Sequence, residues 1–289
     1  RTTHNIQVGR MAKSFLFERR QNAEGVDKMD FFQSLCEKYK DFFTVGVSVK
    51  SEIIESHGDM IKKHFNSITC ENEMKQYHIH PQESVYSFEG ADKVADFARK
   101  NNIPMRGHTL LWHQANPDWI FKYENNKPVT REVLLARLEE HIHTVVKRYK
   151  DVIYCWDVVN EAIEDVERFV LRNSPWLEFI GDDYIKHAFQ YAHEADPKCM
   201  LVYNEFATHE YGGEKANNEE QSFTYIKGLI NEGVPIHAYG LQGHWDLYTP
   251  TYDELRRAIE TFAKLDVPLQ ITELDISIYN YRVNHEWYN

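Results

Sequence analysis

The chain has 289 residues, with 45 acidic and 33 basic side chains, a net charge of −12 and a hydrophobic share of 42%. That apolar content suffices to bury a large core, and the acidic balance argues against a nucleic-acid partner, whose affinity comes from clustered Lys and Arg. No apolar run reaches the roughly 18 residues of a membrane span, so no membrane partner is expected.

Asp27 to Lys40 reads as a helix leading into the first strand, and residues 1–26 read as a linker, an upstream remnant or an N-terminal extension. From Phe42 onward, apolar strand-like runs alternate with amphipathic helices. The strand candidates are Phe42–Val49, Phe65–Cys70, Ile103–Trp112, Val152–Val159, Met200–Tyr203, Ile236–Leu241 and Val267–Leu274. Leu134, Leu138, Ile142, Val145 and Tyr149 form one stripe of a helix after Thr130. Thr251 and Glu254 predict a capping box on a helix that ends near Leu265.

Such alternation builds a parallel sheet with helices outside. The expected fold is α/β, a TIM (β/α)8 barrel over residues 27–289. Only seven strands are identifiable, so the barrel is expected to be C-terminally incomplete, its eighth βα unit coming from a separate C-terminal fragment or a neighbouring chain.

Cys36, Cys70, Cys155 and Cys199 lack C-x-x-C spacing, so buried free thiols are expected, with one disulfide left open. His78-x-His80 and His141-x-His143 do not share one helix face, and no H-E-x-x-H occurs. These read as ordinary surface histidines; neither a metal nor a cofactor is expected.

The strand ends carry the chemistry. The second gives Glu71, Asn72 and Lys75, the third His108, Trp112 and His113, and the fourth Asn160 and Glu161. The fifth gives Asn204 and Glu205, the sixth Gln242 and His244, and the seventh Glu273 and Asp275. Six polar strand ends on one rim make a lined pocket. Two of these strands, V-I-Y-C-W-D-V-V-N-E and V-P-L-Q-I-T-E-L-D-I, are apolar runs that end on a glutamate. A carboxyl pair at one barrel mouth is the arrangement that cleaves a glycosidic bond.

The segments F-N-S-I-T-C-E-N-E-M-K, R-G-H-T-L-L-W-H, W-D-V-V-N-E-A and I-T-E-L-D-I-S strongly resemble glycoside hydrolase family 10, the retaining endo-β-1,4-xylanases, over Phe42 to Tyr279. The resemblance implies that Glu161 is the acid/base and Glu273 the nucleophile. It also implies that Asn160 binds the sugar 2-hydroxyl and that His244 hydrogen-bonds the nucleophile. Glu71, Asn72 and Lys75 match the family's glycone-binding cluster, and His108 and Trp112 its central subsite. Lys75 reads equally as an ion-pair partner of one of the glutamates. Gln242 is expected to contact substrate or support Glu273. Asp275, two residues beyond Glu273 on a strand, points the same way and is expected to hold His244 in one tautomer.

Three positions depart from the family pattern. Glu205 and Phe206 follow Asn204 where N-D-Y-N is usual, Ala115 stands where a subsite glutamine is frequent, and Gly243 precedes His244 in place of serine. The resemblance implies retaining hydrolysis of xylan or xylo-oligosaccharides, and the polymeric substrate implies a secreted or cell-surface enzyme. A related β-1,4-glucanase, or a xylan-binding barrel impaired by the missing unit, are the alternatives.

Overall fold

The computed structural model of the protein describes residues 33–164, 169–206 and 216–278. The predicted N-terminal extension, the start of the helix expected from Asp27 and the chain beyond Ile278 lie outside the described residues.

Seven parallel strands form one curled sheet in chain order: β1 (Gly46–Val49), β2 (Ser67–Cys70), β3 (Met105–Gly107), β5 (Ile153–Asn160), β6 (Met200–Glu205), β7 (Ala238–Leu241) and β9 (Leu269–Ile271). A further short strand, β4 (Leu111–Trp112), pairs with the outer end of β5. This is the sheet of a TIM barrel with seven strands present, and β1 and β9 are its two edges among the described residues. The helices between the strands are α1 (Leu35–Tyr39), α2 (Ile54–His64), α3 (Gln76–Ile79), α4 (Glu89–Asn101), α5 (Arg131–Tyr149), α6 (Pro175–Ile180), α7 (Tyr184–Ala195), α8 (Ala216–Asn231) and α9 (Tyr252–Phe262). No helix among the described residues is long and apolar enough to cross a membrane.

Strands buried on both faces lose the polar alternation of a half-exposed strand. β5 accordingly reads I-Y-C-W-D-V-V-N, and only Tyr154 in it is exposed. The predicted stripe of α5 is fully buried against the core, and Thr130 caps that helix by accepting from the Val133 amide. The Thr251–Glu254 capping box forms as expected, with both reciprocal hydrogen bonds present. All four cysteines are free and buried.

Four expectations need correction. The first strand begins at Gly46, because Phe42 and Phe43 belong to the turn that closes α1: the Phe42 amide donates to the Tyr39 carbonyl and the Phe43 ring stacks on Tyr39. The third strand is broken between β3 and β4, where Thr109 Oγ1 and the Leu110 amide both turn to the Asp157 carbonyl. The seventh stops at Ile271. Beyond it the chain enters a separate two-stranded parallel ladder, in which β10 (Asp275–Ser277) pairs with β8 (His244–Asp246). Gly243, at φ +87°, makes the bend between β7 and β8 in a left-handed conformation that L side chains rarely adopt.

The fourth correction concerns His80 and His141, which are fully buried rather than on the surface. His141 falls on the apolar stripe of α5, and its Nδ1 lies 3.3 Å from Nδ1 of His80. A polar residue at core spacing carries no sign in the sequence of which way it faces.

Candidate active site

Parallel pairing assembles the site before any side chain is considered. Register sets Asn160 beside Asn204 across β5 and β6, and beside Trp112 across β4 and β5. The ladder continues one residue further, with the Glu161 amide donating to the Asn204 carbonyl at 3.0 Å. The Glu273 amide donates to the Gln242 carbonyl at 2.7 Å, which ties the end of β9 to the end of β7. Glu161 and Glu273 therefore stand at the carboxyl ends of strands separated only by β6 and β7.

One continuous hydrogen-bond path joins the two carboxylates. Gln242 Nε2 donates to Glu161 Oε1 at 2.9 Å and lies 3.3 Å from Asn160 Oδ1. Asn204 Nδ2 donates to that same Asn160 oxygen and to Glu273 Oε1, both at 2.7 Å. Thr272 Oγ1 fixes the amide orientation by donating to Asn204 Oδ1 at 2.6 Å. With its oxygen accepting twice, Asn160 has its two amide hydrogens left for other partners.

Glu273 sits in a cationic pocket. His244 Nε2 lies 3.4 Å from Glu273 Oε2, while His244 Nδ1 lies 2.8 Å from Asp275 Oδ2. Burial, the largest influence, pushes the Glu273 carboxyl up. The hydrogen bond from His244, the charges of His108 and His244, and the Asn204 amide outweigh it and bring the group down to about 2. The hydrogen bond to Glu273 is also the main cause that raises His244 to about 9, with Asp275 assisting against burial. The ring consequently donates from both nitrogens at neutral pH, which differs from the single tautomer expected.

Glu161 has different neighbours. Trp112 Nε1 donates to its Oε2 at 2.7 Å, and His113 Nδ1 lies 3.8 Å from the same oxygen. Its backbone is left-handed at φ +55°, a conformation that costs a non-glycine residue about 1–3 kcal/mol and persists only where the surroundings enforce it. Arg172 supplies part of that constraint, donating from Nε to the Glu161 carbonyl and from Nη2 to the Ile163 carbonyl, each at 2.9 Å.

The remaining predicted residues each have partners of their own. Lys75 Nζ donates to Asn72 Oδ1 at 3.0 Å and lies 5.3 Å from the centre of the Trp112 ring, so these three form one wall. His108 Nδ1 is 2.9 Å from Asp157 Oδ2 and 3.9 Å from Glu273 Oε1; Arg106 pairs with the same buried aspartate. Glu71 lies further out and pairs with Lys50 at 3.3 Å. Gln242 directs its side chain to Glu161 and only its carbonyl to Glu273. Asn204 and Glu205 had been recognised only as strand-end residues, and Arg172, on a loop, had no sequence signal at all. Among the described residues, the grouping with metal-ligand geometry is Glu139, His143 and Glu194, on α5 and α7 outside the sheet.

The family model for glycosyl hydrolase family 10 matches residues 34–287. Endo-1,4-beta-xylanase B of Paenibacillus barcinonensis is 44% identical over 248 residues, covering 86% of this chain and 73% of its own length. Beta-1,4-xylanase of Dictyoglomus thermophilum is 44% identical over 260 residues, covering 90% and 70% respectively. The crystal structure of xylanase XynB from Paenibacillus barcinonensis, complexed with a conduramine derivative, superposes with a TM-score of 0.83 at 43% identity, over 87% of this chain and 75% of that one. An intracellular xylanase of Thermoanaerobacterium saccharolyticum, in complex with xylotriose, gives a TM-score of 0.79 at 39% identity, over 88% and 80%. This chain belongs to glycosyl hydrolase family 10.

Proposed function

We infer that the protein is an endo-1,4-β-xylanase that hydrolyses internal bonds of xylan with retention of anomeric configuration. The observation that carries this reading is the hydrogen-bond path from Glu161 through Gln242, Asn160 and Asn204 to Glu273. It links two carboxyls on one rim of the sheet in unlike environments, and retaining hydrolysis needs two carboxyls about 5 Å apart with different tasks.

Glu273, kept ionised by His244 and Asn204, is the nucleophile. Its oxygen bonds to the anomeric carbon as the glycosidic C–O bond breaks, and the proton of Glu161 passes to the departing oxygen. Glu161 then removes a proton from water, whose oxygen attacks the anomeric carbon and releases Glu273. Asn160 offers its amide hydrogens to the sugar 2-hydroxyl, and Lys75, Asn72 and Trp112 form the wall that receives the glycone. His108 and Glu71 take inner and outer positions on the same side.

Initial rates on xylan and carboxymethyl-cellulose, with proton NMR of the first-formed anomer, test the reading. Xylan hydrolysis giving the β-anomer first is expected; faster glucan hydrolysis would reassign the substrate, and an α-anomer first would exclude retention.

We further propose that the edges of β1 and β9 receive an eighth βα unit from a segment beyond the described residues or from a neighbouring chain. Ile271 on β9 stands exposed, as do Leu274, Ile276 and Ile278 beyond it in the chain, and an open sheet edge invites pairing. A 289-residue monomer with full xylanase rates in sedimentation and activity measurements would remove the need for such a unit. The site of action is proposed to be extracellular because polymeric xylan does not cross a membrane. Recovery of all activity from the cytoplasm would reverse that proposal.

A further inference from the structure

Glu205 is a further carboxyl group beside Glu161, and the reaction as derived above does not use it. Its side chain is 1% exposed at the end of β6, next to Asn204. Oε2 accepts from the Ile163 amide and from the Tyr203 hydroxyl, both at 3.2 Å, and Oε1 accepts from the Phe206 amide at 3.0 Å. A carboxyl taken this far from water is costly unless its lone pairs are used. Here three donors converge on its two oxygens.

The Ile163 amide is the informative partner. Glu161, Ala162 and Ile163 form the short turn by which the chain leaves β5, and Glu161 itself is in the left-handed region. Arg172 grips the outer side of this turn through the carbonyls of Glu161 and Ile163. The Arg172 amide also donates to the Ala162 carbonyl at 2.7 Å. The inner side has the Asn204 carbonyl at the Glu161 amide and Glu205 at the Ile163 amide. A strained residue at a functional site stays strained only while its surroundings over-determine it.

We propose that Glu205 is a positioning residue for Glu161: with Arg172 on the opposite side, it clamps the Glu161–Ile163 turn so that the acid/base carboxyl stays within reach of the leaving oxygen. This rests on the assignment of Glu161 as the acid/base. Glu205 touches no reacting atom and acts only through that turn. Burial first, then the nearby charge of Glu161, pushes the Glu205 carboxyl up to about 8 against the Phe206 and Ile163 amides and Arg172.

The clamp predicts a loss that depends on the leaving group. Glu205→Gln keeps size but replaces one of the two acceptor oxygens by a donor, so one backbone amide loses its partner. Glu205→Asp keeps both oxygens. For Glu205→Gln, kcat/KM on an aryl xylobioside with a poor leaving group should fall about tenfold or more, since small misplacements at an active site are expensive. On the dinitrophenyl xylobioside, whose departure needs little protonation, kcat/KM should change less than about twofold. Glu205→Asp should recover part of the loss. Adding Glu205→Gln to Glu161→Ala should cost nothing further, because the clamp has no carboxyl left to position.

Equal losses on both substrates, or additive losses in the double variant, would reduce Glu205 to a general structural role and overturn the proposal. The single Glu161→Ala variant tests the underlying assignment separately: if it shows no leaving-group dependence, the acid/base reading itself fails. Melting temperature and circular dichroism of each variant separate misfolding from mispositioning.

Discussion

Asn204 donates a 2.7 Å hydrogen bond to Glu273 from one strand end to another. The bond holds one oxygen of the carboxylate on the strand side, while His244 faces the other. Negative charge is thereby held on Glu273 before substrate arrives, which is the preorganisation a nucleophile needs.

Weakening that environment should move the acid limb of activity. Glu273 is held down at about 2, with His244 as the foremost stabilising influence. Replacing His244 by Gln removes the cation and leaves burial to raise the carboxyl. The acid limb of kcat/KM should shift to higher pH by about one pH unit or more, and Asn204→Ala should shift it in the same direction by less. An unmoved acid limb in both variants would show that some other group governs it.

Azide separates the roles of the two glutamates by stereochemistry. Glu273→Ala should abolish turnover, and azide should restore it by attacking from the vacated side, giving a glycosyl azide of inverted configuration. Glu161→Ala should let azide take the place of water at the glycosyl-enzyme, giving the retained configuration. NMR of the two products checks the assignment; reversed stereochemistry would exchange the roles.

These partnerships were unequally visible in the sequence. The apolar runs and the glutamates that end them were legible because a strand buried on both faces leaves few residues free to vary in polarity. The carboxylate partners are less so: Gln242 is expected to contact substrate or support Glu273, and it meets Glu273 only through its carbonyl while its side chain reaches Glu161. Strand order tells which residues reach the rim, but rotamers decide which of them touch. Arg172 was invisible because a loop arginine has no periodic context. Phe42 and Phe43 misled because two aromatics beside a strand resemble its continuation, whereas here they close a turn.

The buried histidine pair should make the protein acid-sensitive. Burial lowers His80 to about 4 and His141 to about 3, the latter also opposed by its neighbour. Their ordinary value is about 6.5. Between that value and 3 to 4 the unfolded chain binds more protons than the folded one, so stability falls as pH falls through this window and levels off below it. The effect is on the order of a few kcal/mol. Melting temperature measured from pH 7 to pH 3 should drop steeply, and less steeply for a variant with both histidines replaced by apolar residues. Parallel curves for the two proteins would exclude the pair as the cause.

Gly240 tests packing behind the nucleophile. A Cβ there would collide with Asn204 Oδ1 and stand 2.9 Å from Thr272 Cγ2. Gly240→Ala should cost about 1–3 kcal/mol by overpacking, and kcat should fall further than the folded fraction does, because Asn204 must move. Gly228→Ala in α8 meets nothing within 4 Å and should stabilise by about 1 kcal/mol through helix propensity. Urea unfolding with parallel activity assays checks both; a fully active Gly240→Ala enzyme would show that Asn204 is free to relocate.

The ladder of β8 and β10 sets Asp275 opposite His244, Ile276 opposite Trp245 and Ser277 opposite Asp246. Only in this alignment does the imidazole sit between two carboxylates. A slip by one residue would present Ile276 to His244 and turn Asp275 to the other face. The seven-stranded sheet does not depend on these three pairs, so it can form with the ladder misaligned. Such a molecule would be folded yet carry a poorly supported nucleophile. Three backbone pairings thus act as a key that separates a well-built barrel from a working one.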